Sequence, residues 1–161
     1  MRRKAVGIAA GIIGAAVIGI FVASCGDSTG PGNKTYIANL SPANEVPPKT
    51  TTGTGVATFV DLGSEIDWTL ELTNMTGVVA SHIHGPAAAG VNAGIIFNLF
   101  LPNVATPTVN GVVGHGSLTN ANNANVSLDS LRVLFNNGNA YVNVHTSANG
   151  AGEIRDQVHP K

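Results

Sequence analysis

Short runs of alternating apolar and polar residues recur along the chain from residue 35 onward. The clearest run covers residues 65–73, where Ile66, Trp68 and Leu70 alternate with polar residues. A period of two predicts a strand with one face on a core, and we expect Trp68 in that core. Similar runs predict further strands at 35–40, 55–62, 78–84, 94–101, 111–118, 140–146 and 152–158. The run at 94–101 is almost entirely apolar, which is typical of a strand covered on both faces or in contact at an edge.

One segment departs from this period. Leu128, Leu131 and Phe135 follow helical spacing within residues 127–135, and Ser127 is a suitable N-cap for a short helix. Clusters of Gly, Pro and Asn separate the other runs, and residues 149–150 (Asn-Gly) predict a hairpin turn. Seven to nine short strands with a single helix predict an all-β fold, an antiparallel sandwich or barrel.

Composition narrows the classes of function. The 161 residues include eight Lys or Arg, nine Asp or Glu and one Cys, with a formal net charge of −1. This charge excludes the basic footprint of a nucleic-acid-binding protein. A single Cys excludes both a disulfide framework and a metal site built from several cysteines.

The first 24 residues differ from the rest. Three basic residues at positions 2–4 precede an uncharged, apolar stretch that continues to Ser24, which predicts a signal for export through the secretory pathway. Residues 22–25 (Val-Ala-Ser-Cys) resemble the bacterial lipoprotein box, in which the Cys is lipidated and becomes the first residue after cleavage. The resemblance implies signal peptide 1–24, lipidated Cys25 and a flexible tether at 25–34. A Cys placed by chance at the end of an uncleaved helix is the alternative.

This resemblance also implies a location. The acyl chains would hold the domain on the membrane of the cell envelope, on the outer membrane or the cell surface. Gly26, rather than Asp, follows the Cys, which in Gram-negative lipoprotein sorting permits the outer membrane.

Four segments in order carry a second resemblance. They are residues 40–48 (LSPANEVPP), 80–87 (ASHIHGPA), 138–146 (GNAYVNVHT) and 149–157 (NGAGEIRDQ). Together they resemble the CHRD domain, named for the animal protein chordin and common in exported bacterial proteins. The resemblance covers residues 35–159, and Asp156 departs from it because the family usually has Gly there. It implies a β-sandwich of immunoglobulin-like or dismutase-like, Greek-key type, but no activity that transfers residue by residue.

Three histidines are candidate metal ligands. His82 and His84 share one face of a predicted strand, about 6.6 Å apart along the chain. His145, on a later strand, is a third candidate if the two strands pack together, and three imidazoles suit copper or zinc. The His-X-His strand resembles that of Cu/Zn superoxide dismutases, whose remaining ligands and disulfide are not visible here. The alternative is a buried hydrogen-bond network that braces the last strands and includes Asn143, Glu153 and Arg155.

The sequence offers no catalytic residue set. It has neither a Gly-X-Ser-X-Gly elbow nor a phosphate-binding Gly-rich loop. The acidic residues Glu65, Asp67 and Glu71 alternate on the polar face of a strand, as solvated residues do. We therefore expect a non-enzymatic binding or structural module with a protein or glycan partner. A copper- or zinc-binding protein is the alternative, and a dismutase-like redox role comes after it.

Overall fold

Nine strands form two antiparallel sheets in the computed structural model, which describes residues 34–122 and 125–161. They are β1 (Lys34–Leu40), β2 (Thr54–Asp61), β3 (Ile66–Met75), β4 (Val78–His84), β5 (Ile95–Phe100), β6 (Val109–Leu118), β7 (Tyr141–Thr146), β8 (Ile154–Gln157) and β9 (His159–Pro160). The five-stranded sheet has the order β6-β3-β2-β1-β9, and the four-stranded sheet has the order β5-β4-β7-β8. The all-β antiparallel sandwich expected from the sequence is therefore confirmed.

The core lies between the two sheets and follows the alternation of each strand. In β3, Ile66, Trp68 and Leu70 are buried while Thr69 is exposed. The indole of Trp68 lies over β6 at Gly114 and Gly116, where a Cβ would come within 3.2 and 3.1 Å of the ring. Glycine at these two positions therefore gives the large ring its space.

The single α-helix of the described residues closes one part of the core. Helix α1 (Leu128–Asn136) begins after Ser127, whose side chain accepts the backbone N–H of Ser130 at 3.2 Å, as the sequence predicts. Arg132 holds the helix to the end of β2, donating from Nε to Asp61 Oδ2 at 2.7 Å and from Nη2 to Asp61 Oδ1 at 2.9 Å. This guanidinium lowers the pKa of Asp61 below its usual value.

Two details of the sandwich refine the sequence-based expectations. The apolar run at 94–101 is an edge strand, because β5 pairs only with β4 in the described sheet, and its Ile95 is 47 % exposed. The C-terminal residues form a strand that the sequence does not predict, since Ile37 in β1 pairs with His159. A two-residue strand has too short a pattern to be recognised without its partner.

The predicted signal peptide 1–24, Cys25 and the tether up to residue 33 lie outside the described residues. Among the residues that are described, no helix is long and apolar enough to cross a membrane.

Candidate functional site

The two central strands of the four-stranded sheet are buried on both faces. Their inner face is apolar and carries Ile83, Val142 and Val144. Their outer face is polar, as the alternation requires, because the register pairs His82 with Asn143 and His84 with Tyr141. We call this outer face the histidine face, and it comprises His82, His84, Tyr141, Asn143, His145 and Arg155.

Loop 85–94, between β4 and β5, covers part of the histidine face. Arg155, only 1 % exposed, donates from Nη1 to Asn92 Oδ1 at 2.8 Å and from Nη2 to the carbonyl of Val91 at 3.0 Å. The hydroxyl of Tyr141 accepts the backbone N–H of Ala93 at 3.0 Å. These bonds give the buried polar groups of Arg155 and Tyr141 partners on the covering loop.

Three side chains of the face form a stack. The rings of His84 and Tyr141 are parallel, with centroids 4.9 Å apart and an interplanar angle of 5°. The guanidinium carbon of Arg155 lies 3.6 Å from the centroid of the Tyr141 ring, which is cation–π distance. Tyr141 therefore contacts both the imidazole of His84 and the guanidinium of Arg155.

The strand pairing brings the three candidate histidines together. Ala80 pairs with His145, and this pairing places His145 next to His82 on the same face of the sheet. The centroid of the His82 ring lies 4.9 Å from that of His145 and 5.6 Å from that of His84. One nitrogen from each of the three rings lies within 4.8 Å of the other two. Three residues from two segments that are distant in sequence therefore form one cluster.

Backbone carbonyls define the tautomer of two of the three histidines. Nδ1 of His84 lies 3.0 Å from the carbonyl oxygen of Ala93, and Nδ1 of His145 lies 3.2 Å from that of Gly150. A carbonyl only accepts, so each Nδ1 carries the proton and each Nε2 keeps a lone pair. Both Nε2 atoms, and Nδ1 of His82, are buried without a hydrogen-bond partner among the described residues.

The surroundings favour the neutral form of all three rings. Burial, together with the neighbouring His145 and His84, lowers the pKa of His82 to about 4. Burial also lowers the pKa of His84, as does the charge of Arg155, although the bond to Ala93 opposes the shift. Burial lowers the pKa of His145 as well. At neutral pH the cluster presents uncharged imidazoles.

These pKa shifts predict how stability depends on pH in the metal-free protein. An unfolded chain protonates its histidines near pH 6.5, whereas the folded chain holds His82 neutral down to about pH 4. Protons therefore bind the unfolded state first, and the stability present above about pH 6.5 is lost as the pH falls towards about 4. We expect the thermal midpoint to decrease between pH 7 and pH 5, measured by circular dichroism.

The matched variants for this measurement are His82→Gln and His115→Ala. His115 is exposed on the other sheet, so its removal should leave the pH dependence unchanged. His82→Gln should weaken that dependence. A midpoint that stays constant from pH 7 to pH 5 in the parent protein would contradict the expected burial of neutral imidazoles.

A second buried group, which sequence reasoning missed, lies next to Asn143. Glu45 follows a short 3-10 helix (Pro42–Asn44) and is only 4 % exposed. Burial raises the pKa of its carboxyl, and the positive charge of Arg155 opposes that shift. Glu45 and Arg155 also line a cleft of about 360 Å³ between residues 43–48, residues 89–90 and β8. The position of Glu45 within the segment NEVPP was the signal that could have marked it.

The other proposed network residues occupy separate places. Oε2 of Glu153 accepts from the hydroxyl of Thr146 at 2.6 Å and from the amide of Asn149 at 3.0 Å, and so holds the turn between β7 and β8. Arg155 instead braces the loop after the His-Gly-Pro segment, through Asn92 and Val91. The side-chain oxygen Oδ1 of Asn143 is buried without a hydrogen-bond partner in the described structure.

A family model described as the CHRD domain matches residues 36–158. No curated protein and no solved structure matches the chain. The match includes every residue of the histidine face.

Proposed function

The chain belongs to the CHRD domain family, and from this premise we propose that it is an exported, lipid-anchored, non-enzymatic binding module of the cell envelope. The observation that carries the proposal is the order of the segments along the chain. A positively charged and apolar leader, a Val-Ala-Ser-Cys box and a segment of small and polar residues precede the matched domain directly. Family membership supports the binding module, and the N-terminal residues support the anchor.

The spacing between anchor and domain fits this role. Nine residue steps separate Cys25 from Lys34, where β1 begins. Such a segment reaches at most about 30 Å when it is fully extended. It would keep the domain close to the membrane, where acyl chains rather than a helix hold it.

The cleft lined by Glu45 and Arg155 lies at the end of β1 that is farther from this attachment. β1 runs from Lys34 to Leu40, and Ser41 then forms a bridge with Arg155 of the histidine face. Seven residues of strand cover about 23 Å. A domain attached through Lys34 would therefore present the cleft formed by residues 43–48, residues 89–90 and β8 at its far end, where an extracytoplasmic protein or glycan could reach it.

Cys25→Ser tests the anchor. Hydroxyl oxygen does not replace the thiolate as the acceptor of the diacylglyceryl group, so we expect no fatty-acid labelling and no cleavage at residue 25. Labelling with a radioactive fatty acid and intact-mass analysis measure both. Membrane sedimentation alone would not suffice, because an uncleaved apolar leader would also sediment.

Ser28→Ala is the matched control, because it changes a small polar residue three positions downstream and leaves the thiol in place. It should be labelled and processed like the parent chain. A Cys25→Ser protein that is still labelled and cut at the same place would refute the lipid anchor and leave the family assignment intact.

A further inference from the structure

We infer that His82, His84 and His145 form a mononuclear site for one divalent copper or zinc ion, with copper held more tightly. This goes beyond the proposed anchoring and does not depend on it. The inference stands on the convergence of three ring nitrogens on the covered face of the four-stranded sheet.

The distances are close to those that a metal needs. A four-coordinate ion with metal–nitrogen bonds of about 2.0–2.1 Å holds its nitrogens about 3.4 Å apart. One nitrogen of each ring already lies within 4.8 Å of the other two. Rotations of the side chains can bring the nitrogens to metal-binding distance. The strand pairing of Ala80 with His145 holds the backbone in place meanwhile.

The orientation of the rings is the second argument. Nδ1 of His84 and Nδ1 of His145 each bond a backbone carbonyl, which leaves a lone pair on Nε2 of each ring. This is the outer-shell arrangement that orients metal-binding histidines. A hydrogen-bond network would pair the facing nitrogens, yet Nε2 of both residues and Nδ1 of His82 have no partner in the described chain. Converging imidazoles with buried, unpartnered ring nitrogens suit a cation.

The donor set selects the class of ion. Three neutral imidazoles match copper and zinc better than the oxygen-seeking magnesium and calcium ions. Divalent copper binds such nitrogen sites more tightly than divalent zinc does. Three protein ligands leave a fourth position for water or a small anion. The guanidinium of Arg155 packs against the ring of Tyr141, which in turn stacks on His84.

The decisive experiment uses the unsubstituted full-length protein, purified in detergent with a histidine-free tag and stripped with a chelator. Zinc chloride is added to protein carrying ¹⁵N-histidine, and the ring nitrogens are followed by NMR. The chain has five histidines. We expect three of them to shift, saturating at one equivalent, while His115 and His159 stay unchanged.

Titration calorimetry with copper(II) and zinc(II) salts, in a buffer of known copper affinity, gives the stoichiometry and the order of affinity. We expect one equivalent of each ion and tighter binding of copper. His84→Gln and His145→Gln should each weaken copper binding by more than about 100-fold, since loss of an outer-shell partner alone costs about 10–100-fold. His115→Ala is the matched control and should bind like the parent.

Several outcomes would overturn the site. They are the absence of saturable binding, shifts spread over all five histidines, or copper binding that His115→Ala weakens as much as His84→Gln does. The NMR measurement needs no substitution, so the inference stays testable even if a buried His→Gln variant fails to fold. None of these results bears on fatty-acid labelling at Cys25, which tests the anchor separately.

Discussion

Gly152→Ala is expected to destabilise the fold by about 3 kcal/mol or more, which combines overpacking with backbone strain. A Cβ at this position would lie 2.5 Å from Oδ1 of Asn143 and 2.7 Å from Oε1 of Glu45. The φ angle of Gly152 is +132°, in a region that side chains rarely adopt. Urea unfolding followed by tryptophan fluorescence measures the loss, because Trp68 is the only Trp of the chain.

Gly150→Ala provides the matched control within the same turn. A Cβ there meets nothing within 4 Å, and its φ is not in the positive region. We expect a change of at most about 0.5 kcal/mol, the usual range for surface positions. Equal stabilities of the two variants would show that the side chains of Asn143 and Glu45 move away at little cost. Their close packing around Gly152 would then contribute little to the stability of the fold.

Phe135→Ala is expected to cost about 3–5 kcal/mol in the free energy of unfolding, the range for truncating a fully buried aromatic residue. Phe135 is 0 % exposed and joins α1 to the five-stranded sheet. Its ring centroid lies 4.9 Å from that of Phe59 and 5.3 Å from that of Tyr36. Removal leaves a cavity and two aromatic rings without their neighbour. Chemical unfolding at pH 7 gives the number.

Val133→Ala controls for effects on the helix itself. Val133 is 56 % exposed on the same helix, so its truncation removes little buried surface. We expect a stability within about 0.5 kcal/mol of the parent. If Phe135→Ala were no more costly than Val133→Ala, the helix would contribute little to the core, and its packing against β1 and β2 would need a different account.

Local features of the fold were readable from the sequence because they depend on neighbours along the chain. The period of two identified β3 and its buried Trp68, and the N-cap Ser127 identified the start of α1. The same period put His82 and His84 on one face. The two-residue strand β9 was missed because its only support is a partner 122 residues away, since His159 pairs with Ile37.

The candidate site depended on contacts that no local pattern contains. His145 joins His82 only because β4 pairs with β7, and 63 residues separate the two histidines in the chain. Arg155 is buried because a loop residue 63 positions earlier, Asn92, accepts its hydrogen bond. The pairing order of the strands and the position of the loops decide both.

By itself, the sequence determined the all-β class, the strand faces and the histidines to consider as candidate metal ligands, because alternation and chemical type are properties of each segment. Only the tertiary structure decided that three imidazole nitrogens meet, that two of them are bare, and that Glu45 and Arg155 lie buried beside them. The physical reason is burial. Whether a polar face is solvated or covered depends on where distant loops pack, and that packing sets the proton affinity of its histidines.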